Sequence, residues 1–321
     1  MKSGGKKILV TAIVLLLGSV NLFGSESYFD NYGIFFNIGA GTDRLESVER
    51  VYDGEGKKVS EIKWGNANFL YLGTGLGYGQ KDKFKNIGFG VGVFAKFNLL
   101  MGRGLFSNRD WDAEGKIYSD GNGGVYLLSG QDYKINLGMN IPVRGRVSLY
   151  FGAAFNYKRY IYMNDKERIT MDGDIYYLSG PSQEYFQEWI LAGAETKVNV
   201  KFKKSEWGLE FGIYPFTGSN NINYHFMKKL YEDRFNDNAK YLQYNDKLEG
   251  GIFYDVGIVY GKKVRENMKL VIRANYQWIS ESRGKTTLAV MGIDEDKTYE
   301  YDGGAGAYNN ITVGIIFEVG L

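Results

Sequence analysis

Cysteine is absent from the 321-residue chain, so no disulfide can staple it and no thiol is available to carry a lipoprotein anchor. Any membrane attachment must then come from the fold itself. Histidine occurs once, and a single imidazole without thiolates leaves too few ligands for a zinc site, so no metal is expected. An excess of one charge is missing as well. The 39 basic residues nearly balance the 37 acidic ones, whereas a nucleic-acid binder would carry its basic surplus on one face, so no nucleic-acid partner is expected. Long apolar runs are also missing beyond residue 24, which excludes membrane-spanning helices from the rest of the chain.

The first 24 residues are different. Lys2, Lys6 and Lys7 precede an apolar run from Ile8 to Leu17, followed by small or neutral residues up to Gly24. A charged start, a short apolar centre and small residues at the end make a secretory signal, with cleavage expected near Gly24 and a single domain over 25–321. The apolar run falls short of the roughly 20 residues that a retained helical anchor needs.

What the chain has in quantity is glycine (44), tyrosine (26) and phenylalanine (20), against only three prolines. That stock suits many strands with aromatic girdles at two water–lipid boundaries. Period-two alternation supports it. Ile311, Val313, Ile315, Phe317, Val319 and Leu321 share one face against Asn310, Thr312, Gly314, Glu318 and Gly320, with Ile316 as the exception. Leu270, Ile272, Ala274, Tyr276 and Trp278 oppose Lys269, Arg273, Asn275 and Gln277 in the same way, and the stretches 133–141 and 190–202 repeat the pattern.

A soluble sandwich also alternates. The export signal, strand lengths near those that cross a bilayer at a tilt, and the rhythm of connections favour a membrane barrel instead. Strands are expected at 33–43, 66–78, 88–99, 131–143, 147–163, 188–202, 206–218, 250–262, 268–280 and 308–321. Short turns (near 81–85, 142–146, 203–206 and 264–267) then alternate with long loops (44–65, 100–130, 164–187, 219–249 and 281–307). The expected fold is all-β, a ten-stranded antiparallel transmembrane β-barrel with long outer loops.

Glu49-Arg50-Val51-Tyr52 and the following Gly56 to Trp64 resemble the first outer loop of the omptin family of outer-membrane proteases. Arg283 to Leu288 and Gly303 to Asn310 are similar to that family's last outer loop and closing strand, and the strand rhythm matches over the whole mature chain. The terminal Leu321 departs from the aromatic residue with which such barrels often end. The resemblance implies an outer-membrane endopeptidase that cuts at basic residues, using a water activated between an Asp pair and an Asp-His pair.

In this chain the first pair's motif reads Asn108-Arg109-Asp110-Trp111 and the second Asn223-Tyr224-His225. Asp110 and His225 are thus the implied surviving catalytic groups, with Asn108 and Asn223 in place of their acid partners. An amide beside the histidine can accept a hydrogen bond but supplies no charge to stabilise imidazolium, which weakens catalysis. Asp112, two residues beyond Asp110, is a candidate substitute partner or an ordinary solvated acid. Glu49 matches the family's receptor for a basic substrate side chain, while its partner position is Asn221. A one-carboxylate pocket should hold arginine or lysine less firmly.

Arg159 and Tyr160 are expected at the outer end of a strand, near where the family holds the phosphates of lipopolysaccharide, a candidate activator. No other cofactor is expected. The implied partners are a peptide or protein substrate with basic residues and the lipid of the bacterial outer membrane. An alternative function is a non-catalytic barrel acting as an adhesin or receptor. A general porin is a third, less favoured because ten strands leave a narrow interior.

Overall fold

The computed structural model describes residues 33–81, 87–99, 103–111, 117–171, 174–226, 241–291 and 297–320. The expected export signal, Asp112 and Leu321 lie outside them, as does most of the turn expected near 81–85. In chain order the strands are β1 (Gly33–Tyr52), β2 (Lys58–Lys81), β3 (Gly88–Asn98), β4 (Arg103–Trp111), β5 (Ile117–Arg144), β6 (Val147–Met171), β7 (Asp174–Lys201), β8 (Ser205–His225), β9 (Tyr241–Glu249), β10 (Phe253–Arg265), β11 (Met268–Met291) and β12 (Lys297–Gly320).

All pairings are antiparallel, and β1 pairs with both β2 and β12, which closes the sheet. β3 and β4 lie in line between β2 and β5, and β9 and β10 lie in line between β8 and β11, so the twelve segments make ten staves. Closure gives every described stave a hydrogen-bonding neighbour on both sides, the condition for placing strands in lipid.

The alternation read from the sequence is realised residue by residue. Ile311, Val313, Ile315 and Phe317 point outward, as do Ile272 and Tyr276, while Asn275, Gln277, Asn310, Thr312 and Glu318 are buried inside. Ile316, the exception, faces inward and packs with Val259 and Val271. The outward apolar band runs round the staves, with Leu72, Val91, Leu137, Phe155, Leu209 and Ile258 among its members.

The boundaries differ from the expectation. Most of the five stretches read as long loops are continuations of the strands into hairpins beyond the apolar band. β1 runs on to Tyr52, β6 to Met171 and β11 to Met291. Beyond lipid the outer face of a hairpin meets water in place of acyl chains, so the backbone ladder persists while the apolar–polar alternation fades. The β1–β2 turn over 53–57 is tight, with Asp53 Oδ1 accepting from the amides of Glu55 at 3.0 Å and Lys57 at 2.8 Å, and Gly56 at φ +79°.

Where band meets hairpins, the inward face changes phase. In β8 the buried positions are Glu206, Gly208, Gly212 and Tyr214, and then Thr217, Ser219, Asn221, Asn223 and His225; the slip falls at Pro215 and Phe216, both exposed, in a β-bulge against β7. A one-residue slip turns every later side chain to the other face, and proline suits a bulge because it has no amide to pair.

β2 slips at Gly65–Asn68 with Asn66 at φ 54°, β5 at Leu127–Ser129 and β11 at Ile279–Ser282. Slips cluster in two arcs, β2–β3/β4–β5 and β8–β9/β10–β11; between them β6–β7 stays in register as far as a slip at Asn164–Lys166, and β12–β1 is unslipped.

The interior is filled in layers. At band level, Lys96 donates to Asp43 at 2.7 Å, and Lys158 donates to Asp132 at 2.5 Å and to Gln277 at 3.0 Å. Lys134 pairs with Glu195 at 2.5 Å, and Glu210 takes both Lys197 and Arg273 at 2.8 Å. Buried charges survive there because each has an opposite partner. The cavity left among Asn37, Lys96, Asp132 and Arg273 is about 60 Å³.

Above lies an aromatic layer. Trp64 stacks on Tyr185 with ring centres 5.2 Å apart, and Tyr160 stacks on Tyr308 at 5.6 Å with their hydroxyls 3.1 Å apart. This corrects the reading of Tyr160 as a rim residue beside Arg159. Its ring is fully buried inside the barrel, because alternation along β6 turns Tyr160 inward and leaves the half-exposed Arg159 outside against Glu188 at 3.4 Å.

Candidate active site

Above the aromatic layer the slipped phase of β8 turns Asn221, Asn223 and His225 into the mouth of the barrel, all but fully buried. From β1, whose phase is unbroken, Glu49 enters the same space; from β9 comes Asp246 and from β11 Thr286. Asn221 stands directly opposite Asp246 across the β8–β9 ladder, and Asp246 opposite Thr286 across β9–β11. Glycines at 304 and 306 of β12 face the same interior: a Cβ at Gly304 would come 2.5 Å from Thr286 Oγ1, so no side chain fits there without a shift.

The hydrogen bonds tie opposite walls together. Asn223 Nδ2 donates to Glu49 Oε2 at 2.6 Å, Thr286 Oγ1 donates to Asp246 Oδ1 at 2.6 Å, and Asp246 is also hydrogen-bonded to Glu49. Two carboxyl groups can share such a bond only if a proton lies between them. Burial pushes the Asp246 carboxyl up to about 6, against the bonds from Thr286 and Glu49 that work to lower it. Beneath, Ser47 donates to Gln187 at 2.6 Å, and Ser219 donates to Asn221 Oδ1 at 2.6 Å. Outside, Arg50 bridges Glu61 and Glu281, each at 2.9 Å, and so clasps β1, β2 and β11.

His225 lies beside the ring of Tyr244 at 5.0 Å, opposite Gln183 on β7 and Leu242 on β9. Burial drives its imidazole down to about 3, so the ring is neutral across the physiological range. Its Nε2, the Asn223 Oδ1, the Asn221 Nδ2 and the Asp246 Oδ2 are buried without a hydrogen-bond partner among the described residues. Asn223 therefore spends its amide on Glu49, and not on the histidine two residues away.

Asn108 and Asp110 lie on β4, in the opposite arc of irregular staves. Their backbone register is set, Asn108 against Ile62 of β2 and Gly121 of β5, and Asp110 against Ser60 and Ser119. Ile62 is itself the partner of Glu49 on β1, so Asn108 and Glu49 stand at one level of the barrel. Their side chains, like Asp112, lie outside what the structure describes.

Of the residues singled out from the sequence, Glu49, Asn221, Asn223 and His225 are thus brought together, with Asp110 and Asn108 on the facing wall by backbone position. Asp246 and Thr286 were missed. Asp246 sits in Asn245-Asp246-Lys247, which reads as an ordinary solvated loop, and only closure of the barrel brings it to Glu49.

The sequence profile of the Omptin family matches residues 30–319. No curated protein sequence matches the chain. Among solved structures, the outer membrane protease OmpT from Escherichia coli superimposes with a TM-score of 0.77 at 19% identity, over 91% of this chain and 98% of that chain. At that identity the likeness is one of fold. The toluene transporter TodX from Pseudomonas putida, at TM-score 0.38 and 8% identity over 90% of each chain, is too distant to carry an argument.

Proposed function

The chain belongs to the omptin family of outer-membrane proteases, and on that footing we propose that it is an endopeptidase cleaving beside basic residues with a water held between Asp110 and His225. It lies in the bacterial outer membrane with its hairpins facing the exterior. The observation that carries the finer reading is the buried histidine at the mouth: its Nε2 has no partner among the described residues and is open to a water, while burial keeps the ring neutral and makes it a weaker base than a free imidazole.

In this reading Asp110 holds the water from the other wall, the water gives its proton to His225 as its oxygen attacks the scissile carbonyl, and the imidazolium returns that proton to the amine as the C–N bond breaks. Glu49 receives the basic side chain of the substrate. Asn223 and Asn108 weaken the chemistry, since neither adds negative charge to stabilise the imidazolium as it forms. Residues 1–24 act as the export signal in this proposal, and lipopolysaccharide as an activator.

The test is cleavage of a fluorogenic peptide containing two adjacent basic residues by the refolded barrel, with and without lipopolysaccharide. Cleavage after lysine or arginine is expected, and His225→Ala should lower it by roughly 10²–10⁴-fold, the range for a general acid–base group. An active barrel indifferent to His225→Ala would remove the histidine from the mechanism.

A further inference from the structure

Three observations at the mouth have no part in the water-activating step: the hydrogen-bonded Glu49 and Asp246 carboxyls, the Asp246 Oδ2 without a partner among the described residues, and the Asn223 Oδ1 in the same condition. Asn223 is anchored to the pair by its own amide at 2.6 Å, so its free carbonyl lies within the same group of side chains. All three side chains are at most 3% exposed. Two buried acceptors beside a carboxyl pair call for a donor-rich cation. A guanidinium has five N–H groups in a plane, and an ammonium has three.

We propose that Asp246 supplies the second carboxylate that Asn221 lacks, so that Glu49 and Asp246 together receive the guanidinium or ammonium group of the substrate, closed on a shared proton when empty and parting when the cation takes its place. The proposal rests on the endopeptidase reading for the identity of the ligand, but its test reads binding alone. The exchange balances: the cation enters, the shared proton leaves to solvent, and both carboxylates then face one positive charge.

The titratable groups facing Asp246 are Glu49 from β1 and Tyr185 from β7, with His225 further along β8; Asn221 and Thr286 complete the surroundings and do not titrate. With the Asp246 carboxyl at about 6, cation affinity should rise as pH increases through that value and fall below it.

The experiment is isothermal titration of the refolded barrel with acetyl-arginine amide, with the neutral citrulline amide as control, across that pH window and in two buffers of different ionisation enthalpy. Arginine amide should bind and citrulline amide should not, with proton release detected near the midpoint. Asp246→Asn should weaken arginine amide by about tenfold or more, equivalent to about 1.4 kcal/mol. Should Asp246→Asn fail to fold, Thr286→Val tests the same point, because removing the hydroxyl that favours the carboxylate should move the pH midpoint upward.

Equal binding of the two amides, or a folded Asp246→Asn barrel with wild-type affinity, overturns the inference, as does a Thr286→Val midpoint that stays put. A barrel that binds arginine amide through Asp246 yet cleaves nothing leaves this inference standing and removes the endopeptidase reading. A barrel that cleaves basic peptides with Asp246→Asn affinity unchanged does the reverse.

Discussion

A barrel carrying Asn108→Asp together with Asn223→Asp is expected to cleave basic peptides far faster than the native chain, with a gain in turnover approaching the roughly 10⁴ that the acid partner of a catalytic histidine can be worth. The change at Asn223 alone carries a cost. Asn223 now gives its amide to Glu49 at 2.6 Å, so an aspartate there alone sets a new carboxylate against the Glu49–Asp246 pair and loses part of its benefit to repulsion. It also offers the neighbouring His225 an acid that could accept from the ring and stabilise its protonated form. Asn108→Asp restores the charge on the facing wall, and groups that act as one unit gain more together than singly.

Peptidase rates of the native, single and double variants decide it. A well-folded double variant at background rate would mean that the mouth does not hold the two pairs across a water, and the adhesin or receptor reading would take precedence. A native rate already equal to the double variant's would point to Asp110 with Asp112 as a working pair.

Lys158→Met should be the most damaging single change within the membrane-spanning part. Its ammonium is fully buried, held by Asp132 and Gln277 and flanked by the Phe253 and Tyr308 rings at 5.6 and 5.8 Å. Removing it leaves Asp132 with Lys96 at 3.9 Å and the charge of Lys134 in place of a close partner. Breaking one side of a buried pair typically costs about 3–5 kcal/mol, while replacing both sides with apolar groups is often neutral. The urea midpoint of the refolded barrel, followed by tryptophan fluorescence, should therefore drop sharply for Lys158→Met and recover for Lys158→Met with Asp132→Leu. An unchanged midpoint in the single variant would show that this charge layer does not hold the walls together.

How much of this was legible in the sequence depends on where each residue meets lipid. On β11 and β12 the inward and outward sets were readable one by one, because a strand between lipid and a wet interior must alternate. The hairpins were misread as loops for the same reason: Asp165-Lys166-Glu167-Arg168 on β6 is a run of charges with no apolar periodicity to show, yet the backbone ladder with β7 continues. The bulges were invisible too. Nothing local at Pro215-Phe216 announces that Asn221, Asn223 and His225 lie on the interior face; the family resemblance placed them in the site, and the slip in β8 explains how they get there. Asp246 had neither signal, since its partnership with Glu49 exists only once the barrel has closed.

The stacked ion pairs and tyrosines that fill the barrel have an electrical consequence. An ion driven along the axis by a voltage would have to shed its hydration at the aromatic layer and then displace fixed charges already matched to one another, each step against a steep electrostatic barrier. Reconstituted in a planar lipid bilayer, the barrel should behave as a dielectric plug, adding capacitance but no ohmic current, so that a cell could carry many copies without leaking its ionic gradients. Stepwise conductance in such a recording would mean that the layers open under load.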